Sequence, residues 1–306
     1  MKRFLSRVLP LLLSFGLIFN CTGCSTVLVL AGKARENNEA SSSAISESSA
    51  SSGVISTPVP TEDGDLRAFY TDVANAESVT VMVYMIGSDL ESEDGSATDD
   101  LLEMADAALS ENIHLVLQTG GTETWWNDVC TDDESERFVI ENGDITLLQS
   151  LGSMNMTDAD TLSDFIRFSA ESYPADRYEL ILWDHGGGTM TGFGYDELYE
   201  DTSLTLSSLS TALYNGGVQF DFIGFDACLM ATAEVAYALD PYADYLIASE
   251  ESEPGEGWAY KNWLTMLAED PAVPTAELGK KLADDFLEAY IFADMPTLSV
   301  LAVSYT

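Results

Sequence analysis

The chain reads as an α/β protein with a mostly parallel central sheet flanked by helices, and three observations predict it. Short, nearly continuous apolar runs recur along the sequence, VTVMVYMIG at 79–87 foremost among them. Such runs mark strands buried on both faces. Stretches with apolar residues at helical spacing separate them, and this alternation is the pattern of parallel strands joined by helical crossovers. Several runs also end in glycine, where a strand gives way to a loop.

In order, 79–87 is a strand and 97–110 a helix with apolar positions Leu101, Leu102, Ala105 and Leu109. A second strand, IHLVLQTGG, covers 113–121, and 124–150 is a hairpin excursion turning at ENGD, 141–144. Residues 157–174 form a helix with Thr157 or Asp158 as N-cap and Pro174 beyond its end. YELILWDHGGG at 178–188 is a strand running into a glycine loop, and 203–217 is a helix stopped by two glycines. Then follow a strand at 218–230, a helix at 231–241, a strand at 243–251, a helix at 275–291 and a final strand at 296–306.

The start of the chain sets the expected compartment. Lys2, Arg3 and Arg7 precede an apolar stretch at 8–19 that is short for a membrane span. Cys21-Thr22-Gly23-Cys24-Ser25 resembles the lipobox of bacterial lipoproteins, cut before Cys24, whose thiol and new amine are then acylated. On that reading 1–23 is a signal peptide, 24–77 a Ser-rich disordered tether, and 78–306 one folded domain held to the membrane through the N-terminal lipid only. A plain secretory signal, and hence a secreted protein, is the alternative.

Charge narrows the partners. Twelve Lys and Arg against 52 Asp and Glu leave a net charge of −40, which repels nucleic acid and anionic lipid and would attract cationic ligands, although on charge alone the plainer reading is that acidity keeps a secreted protein soluble. Four cysteines are too few for a disulfide scaffold. Once Cys21 leaves and Cys24 is acylated, Cys130 and Cys228 remain, and sequence alone cannot pair them.

In an open parallel sheet the working site lies beyond the carboxyl ends of the strands. Two such ends carry reactive side chains, Trp183-Asp184-His185-Gly186-Gly187-Gly188 and Phe225-Asp226-Ala227-Cys228-Leu229-Met230. One helical crossover fits between them, so a right-handed connection sets His185 and Cys228 in one crevice. Cys228, read as standing where a helix begins, supplies a nucleophile; His185 supplies a general base and acid; the glycines leave N–H groups bare for a developing oxyanion. The competing reading is a small buried cysteine and a satisfied histidine, as His114 inside IHLVLQ is expected to be. An esterase reading of HGGG fails because no G-x-S-x-G elbow is present. No second histidine or cysteine is spaced to share a metal with His185, so no metal ligands are assigned.

At these residues the sequence resembles the clostripain family of cysteine peptidases, which share a caspase-like fold, a three-layer sandwich. The resemblance runs over VMVYMIGSDLES and DLLEM (81–104), YPADRYELILWDHGGG (173–188), IGFDACLMATAEVAYAL (223–239) and ASEESEPGEGW (248–258). It implies a cysteine endopeptidase acting through a Cys228 thioester, with His185 as general acid and base and the amides of Gly186 and Cys228 as oxyanion hole. It further implies peptide or protein substrates cut after Arg or Lys, with Asp226 and Glu256 as acids for the basic side chain. The residues agree, since 178–260 carry 15 acids and no Lys or Arg. A loop-fixing carboxylate is the other role open to Asp226.

The same stretch departs from the family, some of whose members cut themselves at a basic bond between histidine and cysteine: it offers none, so processing uses Arg177, Lys261 or bonds elsewhere, or is unnecessary. The chain also stops at Thr306 within a strand pattern, where family members usually continue, so it reads either as a short member or as a truncated sequence. No cofactor is required for the chemistry. Ca²⁺ is possible by family likeness, and Asp89, Glu91, Glu93 and Asp94 form an acidic run out of EF-hand register, read rather as a solvated turn. The reading from another class is a non-catalytic surface lipoprotein that holds cationic peptides in an acidic crevice.

Overall fold

The structure, a computed structural model, describes residues 73–199, 202–290 and 297–303. The expected signal peptide, the expected lipid acceptor Cys24 and most of the Ser-rich stretch lie outside the described residues. A 3-10 turn at Val73–Asn75 leads into the first strand. That entry is pinned by Asp176, whose Oδ2 accepts from the amides of Glu77 and Ser78 at 2.9 and 3.2 Å.

Eight strands form one sheet: β1 (Val79–Ile86), β2 (Ile113–Gly120), β3 (Glu136–Glu141), β4 (Asp144–Ser150), β5 (Arg177–Trp183), β6 (Phe220–Asp226), β7 (Ala243–Ala248) and β8 (Ser299–Ala302). Their spatial order is β4-β3-β2-β1-β5-β6-β7-β8. The five central strands β2, β1, β5, β6 and β7 are parallel, while β3, β4 and β8 run antiparallel at the edges. The expected hairpin is β3–β4, turned by Asn142 and Gly143 at φ 53° and 85°, left-handed values that asparagine and glycine tolerate. The strand expected at 296–306 is shorter among the described residues, and it lies antiparallel against β7.

Period-two alternation sends the side chains of β1 into two separate cores. Val79, Val81, Val83 and Met85 face α2 (Ser96–Ala105), α7 (Tyr260–Glu269) and α8 (Thr275–Ala289). Met82, Tyr84 and Ile86 face α3 (Ala159–Ser172), α5 (Leu206–Gly216) and α6 (Ala233–Leu239). Every residue of β1 is buried, which is why the strand reads as continuously apolar. The result is a three-layer sandwich with the sheet in the middle. Two short helices, α1 (Ser88–Ser92) and α4 (Gly188–Thr191), follow β1 and β5 directly at their carboxyl ends. Among the described residues no helix is long and apolar enough to cross a membrane.

Arg177 shows how the strand bases are locked. It is fully buried, its Nε pairs with Asp221 on the neighbouring β6, and its Nη1 donates to the Val273 carbonyl at 2.9 Å. Glu179 also approaches it at 3.5 Å, but burial raises that carboxyl to about 8, so Asp221 carries most of the compensating charge. Two consequences follow. Arg177 cannot present its bond to a protease in the folded chain, which removes one of the two basic sites considered for self-cleavage. Asp221→Ala is expected to cost about 3 kcal/mol, because it strands a buried guanidinium; a loss below about 1 kcal/mol in urea unfolding would contradict this.

Candidate active site

β5 and β6 are parallel neighbours with Trp183 opposite Asp226, and the amide of Asp184 donates to the Asp226 carbonyl at 3.2 Å. His185 and Cys228 therefore leave the sheet side by side at its carboxyl edge. The two main chains touch there. A Cβ placed on Gly186 would fall 2.1 Å from the Cys228 carbonyl oxygen. One placed on Gly188, at φ +55°, would fall 2.8 Å from that of Leu229. Gly186 and Gly188 are thus required by the Cys228 turn that presses on them.

The turn at Cys228 is an irregular elbow and does not begin a helix. The helix that follows, α6, opens only at Ala233, with Thr232 as its N-cap accepting from the Val235 amide at 3.2 Å. The expectation that Cys228 stands at a helix start is therefore corrected: β6 ends at Asp226, and Leu229 intervenes at φ +64°, a left-handed value that breaks helical continuity. Backbone bonds hold this conformation, from Leu229 N to Glu251 O at 3.0 Å and from Ala231 N to Ser249 O at 2.8 Å. They also draw the segment after β7 across the site. As a result the Glu253 amide donates to Cys228 Sγ at 3.2 Å.

Both expected oxyanion donors are bare. Among the described residues no acceptor takes the amide hydrogen of Gly186 or of Cys228. The bonds of the Gly186–Phe193 bridge use instead Gly187 N to Gly192 O at 2.8 Å and Gly194 N to His185 O at 2.9 Å. Beside His185 lies a cavity of about 280 Å³ lined by Gly186, Gly187, Thr191, Tyr195 and Ser203.

His185 is half-exposed, and its Nε2 lies 2.7 Å from Asp89 Oδ1 on α1. No hydrogen bond joins His185 to Cys228 among the described residues. Directly behind the histidine, Asp184 is buried and accepts from Ser88 Oγ at 2.7 Å and from the Tyr195 amide. Burial pushes its carboxyl up to about 7, partly offset by His185 and those donors. Neither Asp89 nor Asp184 was singled out by the sequence for this role, although both sit within three residues of a strand's carboxyl end.

On the other side of Cys228 the carboxyls gather. Asp226 is buried, and its Oδ2 accepts from the Trp258 amide at 3.1 Å and the Tyr260 hydroxyl at 2.8 Å, so it does fix the 257–260 loop. Asp100 lies close by and accepts from Trp183 Nε1 at 2.6 Å. Glu253 turns its carboxyl into the same space against Asp226 and the Trp258 side chain, with no well-aligned hydrogen bond to either of its oxygens. Burial raises all three carboxyls, and the mutual repulsion of Asp226 with Asp100 and with Glu253 raises those two further. Glu256, the second acid expected here, is exposed on the loop, and it is Glu253 that stands against Asp226.

The remaining candidates are placed as follows. Cys130 and Cys228 are both free thiols; Cys130 is buried and pushed up to about 12, which leaves it unreactive. His114 stacks on Tyr173 with ring centres 5.4 Å apart, a packing role. In the acidic run after β1, Glu91 is buried and its oxygens accept from Thr98 N at 2.8 Å, Thr98 Oγ1 at 2.6 Å and Trp126 N at 2.7 Å. With Glu91 so committed and Asp89 on His185, the run does not fit Ca²⁺. Among the described residues no group of three or more His, Cys, Asp or Glu is arranged to hold a metal.

Comparison with known proteins bears on this geometry. Clostripain from Hathewaya histolytica is 29% identical over 217 residues, covering 60% of this chain and 41% of its own length. A secreted C11 cysteine protease from Bacteroides thetaiotaomicron, solved with an irreversible peptide inhibitor, superposes with a TM-score of 0.61 at 24% identity, over 74% of this chain and 66% of that one. An inactive zymogen C11 protease from Parabacteroides distasonis gives a TM-score of 0.58 at 26% identity, over 75% and 63%. The chain thus spans about two fifths of clostripain and about two thirds of these solved structures. The clostripain family model matches residues 83–306, most of the chain, and the chain belongs to the clostripain family.

Proposed function

We propose that the protein is a cysteine endopeptidase that cuts after Arg or Lys, with Cys228 as nucleophile and His185 as general acid and base. The observation that carries this reading is the pair of bare amides, Gly186 and Cys228, beside a free thiol at the carboxyl edge of the sheet. Once its proton passes to His185, the Cys228 sulfur attacks the scissile carbonyl carbon. The carbonyl oxygen becomes an oxyanion between the two N–H groups, where fixed donors stabilise it without reorganising. Collapse breaks the C–N bond, His185 gives the proton to the departing amine, and a thioester remains. His185 then takes a proton from water as it attacks, and the acid product leaves the thiol.

Support for a basic substrate comes from Glu253 and Asp226. Burial and the neighbouring Asp226 push the Glu253 carboxyl up to about 11, and neither of its oxygens has a well-aligned hydrogen bond, so a guanidinium with its five donors would relieve the crowding of these two acids. The negative charge of the chain adds long-range attraction for such substrates. Membrane attachment through lipid on Cys24 belongs to the same proposal, and globomycin-sensitive processing with labelled palmitate on Cys24 tests it.

Specificity is tested by comparing arginyl, lysyl and uncharged amide substrates on the wild type and on Asp226→Asn. The wild type is expected to prefer arginyl over uncharged substrates by at least about 100-fold in kcat/KM. Asp226→Asn should lose most of that preference through the arginyl substrate. Equal preference in wild type and variant, with turnover still dependent on Cys228, would remove the pocket assignment and leave the peptidase reading standing.

A further inference from the structure

We propose that Asp89 is a positioning residue for His185, and that it assigns the two ring nitrogens their tasks. This rests on the His185–Cys228 reading above. A carboxylate can only accept, so the 2.7 Å contact with Asp89 Oδ1 requires a hydrogen on His185 Nε2. The neutral ring is then the Nε2–H tautomer, and Nδ1 is the nitrogen that exchanges protons with Cys228 and the leaving amine. When the ring takes the thiol proton, the Asp89 charge balances the imidazolium. An oriented base held by a third group is the general arrangement for activating a nucleophile.

The pair is not placed there by fold stability. Both side chains are half-exposed, at 43% and 46%, and pairs in that setting add little to folding. Yet the backbone beneath Asp89 is closely held. Gly87 N donates to Gly120 O at 2.8 Å and Ser88 N to Gly121 O at 3.0 Å, which seats the first turn of α1 against the end of β2. Ser88 adopts φ +49°, and its hydroxyl reaches Asp184 Oδ1. Asp184 immediately precedes His185 and also accepts from the Tyr195 amide. One buried carboxyl therefore ties the turn that carries Asp89 to the strand end that carries His185, and the exposed pair inherits its geometry from a buried one. Tyr195 flanks the ring at 6.4 Å between centres and completes the groups around it.

The test uses the full chain, an arginyl amide substrate, and the variants Asp89→Ala, Asp89→Glu and His185→Ala. Asp89→Ala is expected to lower kcat by about 10- to 100-fold with KM within about two-fold, and Asp89→Glu to recover part of the loss. The chain holds two histidines, so ring nitrogens of ¹⁵N-histidine-labelled protein resolve by NMR, with His114→Gln assigning them. In alkaline solution His185 is expected as the Nε2–H tautomer, a readout that does not depend on Asp89→Ala folding. A kcat within two-fold of wild type in Asp89→Ala while His185→Ala is inactive, or an Nδ1–H tautomer in the wild type, would overturn the proposal and leave the catalytic pair intact. Full turnover in His185→Ala would instead overturn the pair, and this proposal with it.

Discussion

His185→Ala and Cys228→Ala are each expected to reduce amide hydrolysis by at least about 1000-fold while leaving the fold in place. The magnitude follows from what each side chain supplies. Without the thiol there is no thioester, and only positioning and the oxyanion donors remain. Without the imidazole, no group is placed to move a proton off the thiol or onto the amine, a contribution of about 100- to 10,000-fold in general acid–base catalysis. Neither side chain belongs to the buried core, so both variants should unfold within about 0.5 kcal/mol of the wild type in urea. A His185→Ala enzyme retaining a tenth of wild-type kcat would rule out this assignment.

Gly186→Ala is the second large effect, and its cause is purely steric. The added methyl would lie 2.1 Å from the Cys228 carbonyl oxygen and 3.0 Å from Met230 Cγ. The first neighbour is backbone and cannot swing aside. The Cys228 turn or the Gly186 peptide must move, and either shift displaces one of the two amides proposed as oxyanion donors relative to the sulfur. Misplacement by about 1 Å costs on the order of 100-fold in rate, so kcat should fall at least that far. Gly255 is the matched control on the other side of the site. Nothing lies within 4 Å of a Cβ built there, and Gly255→Ala should turn over substrate at close to the wild-type rate. Equal activity of the two variants would show that the close approach of the two strand ends does not matter to the reaction.

Much of this architecture was legible in the residues because burial is two-sided. β1 reads as an unbroken apolar run since both faces of the strand are covered by helices. Asp158 caps α3 as its type and position predict, its side chain accepting from the Asp160 amide. The adjacency of His185 and Cys228 came from the handedness of one crossover. What escaped were features that periodicity cannot carry. α1 and α4, with five and four residues, are too short to show a repeat. α7 does show one, burying Tyr260, Trp263, Leu264 and Leu267 at spacings of three and four, so its periodicity is present in the residues.

Loop acids were the hardest to place. Along the chain, Glu253 and Glu256 are equivalent neighbours in an acidic, glycine-rich segment. Only the tertiary bonds from Leu229 to Glu251 and from Ala231 to Ser249 decide which of them faces Asp226. Asp89 looked like part of a solvated turn for a similar reason. Its partner lies 96 residues away and is brought close by the pairing of β1 with β5. The rule that chemistry sits beyond strand ends covers Asp89, three residues past β1, and applying it to every strand would have found the residue.

The account stands or falls on whether Cys228 is an acylated nucleophile serving basic substrates. The most direct measurement is to treat the folded protein with an arginyl acyloxymethyl ketone and map the adduct by mass spectrometry, beside the uncharged analogue. The account predicts one adduct, on Cys228, formed far faster with the arginyl reagent and absent from Cys130. Folded protein that is not labelled at Cys228 by either reagent would contradict it.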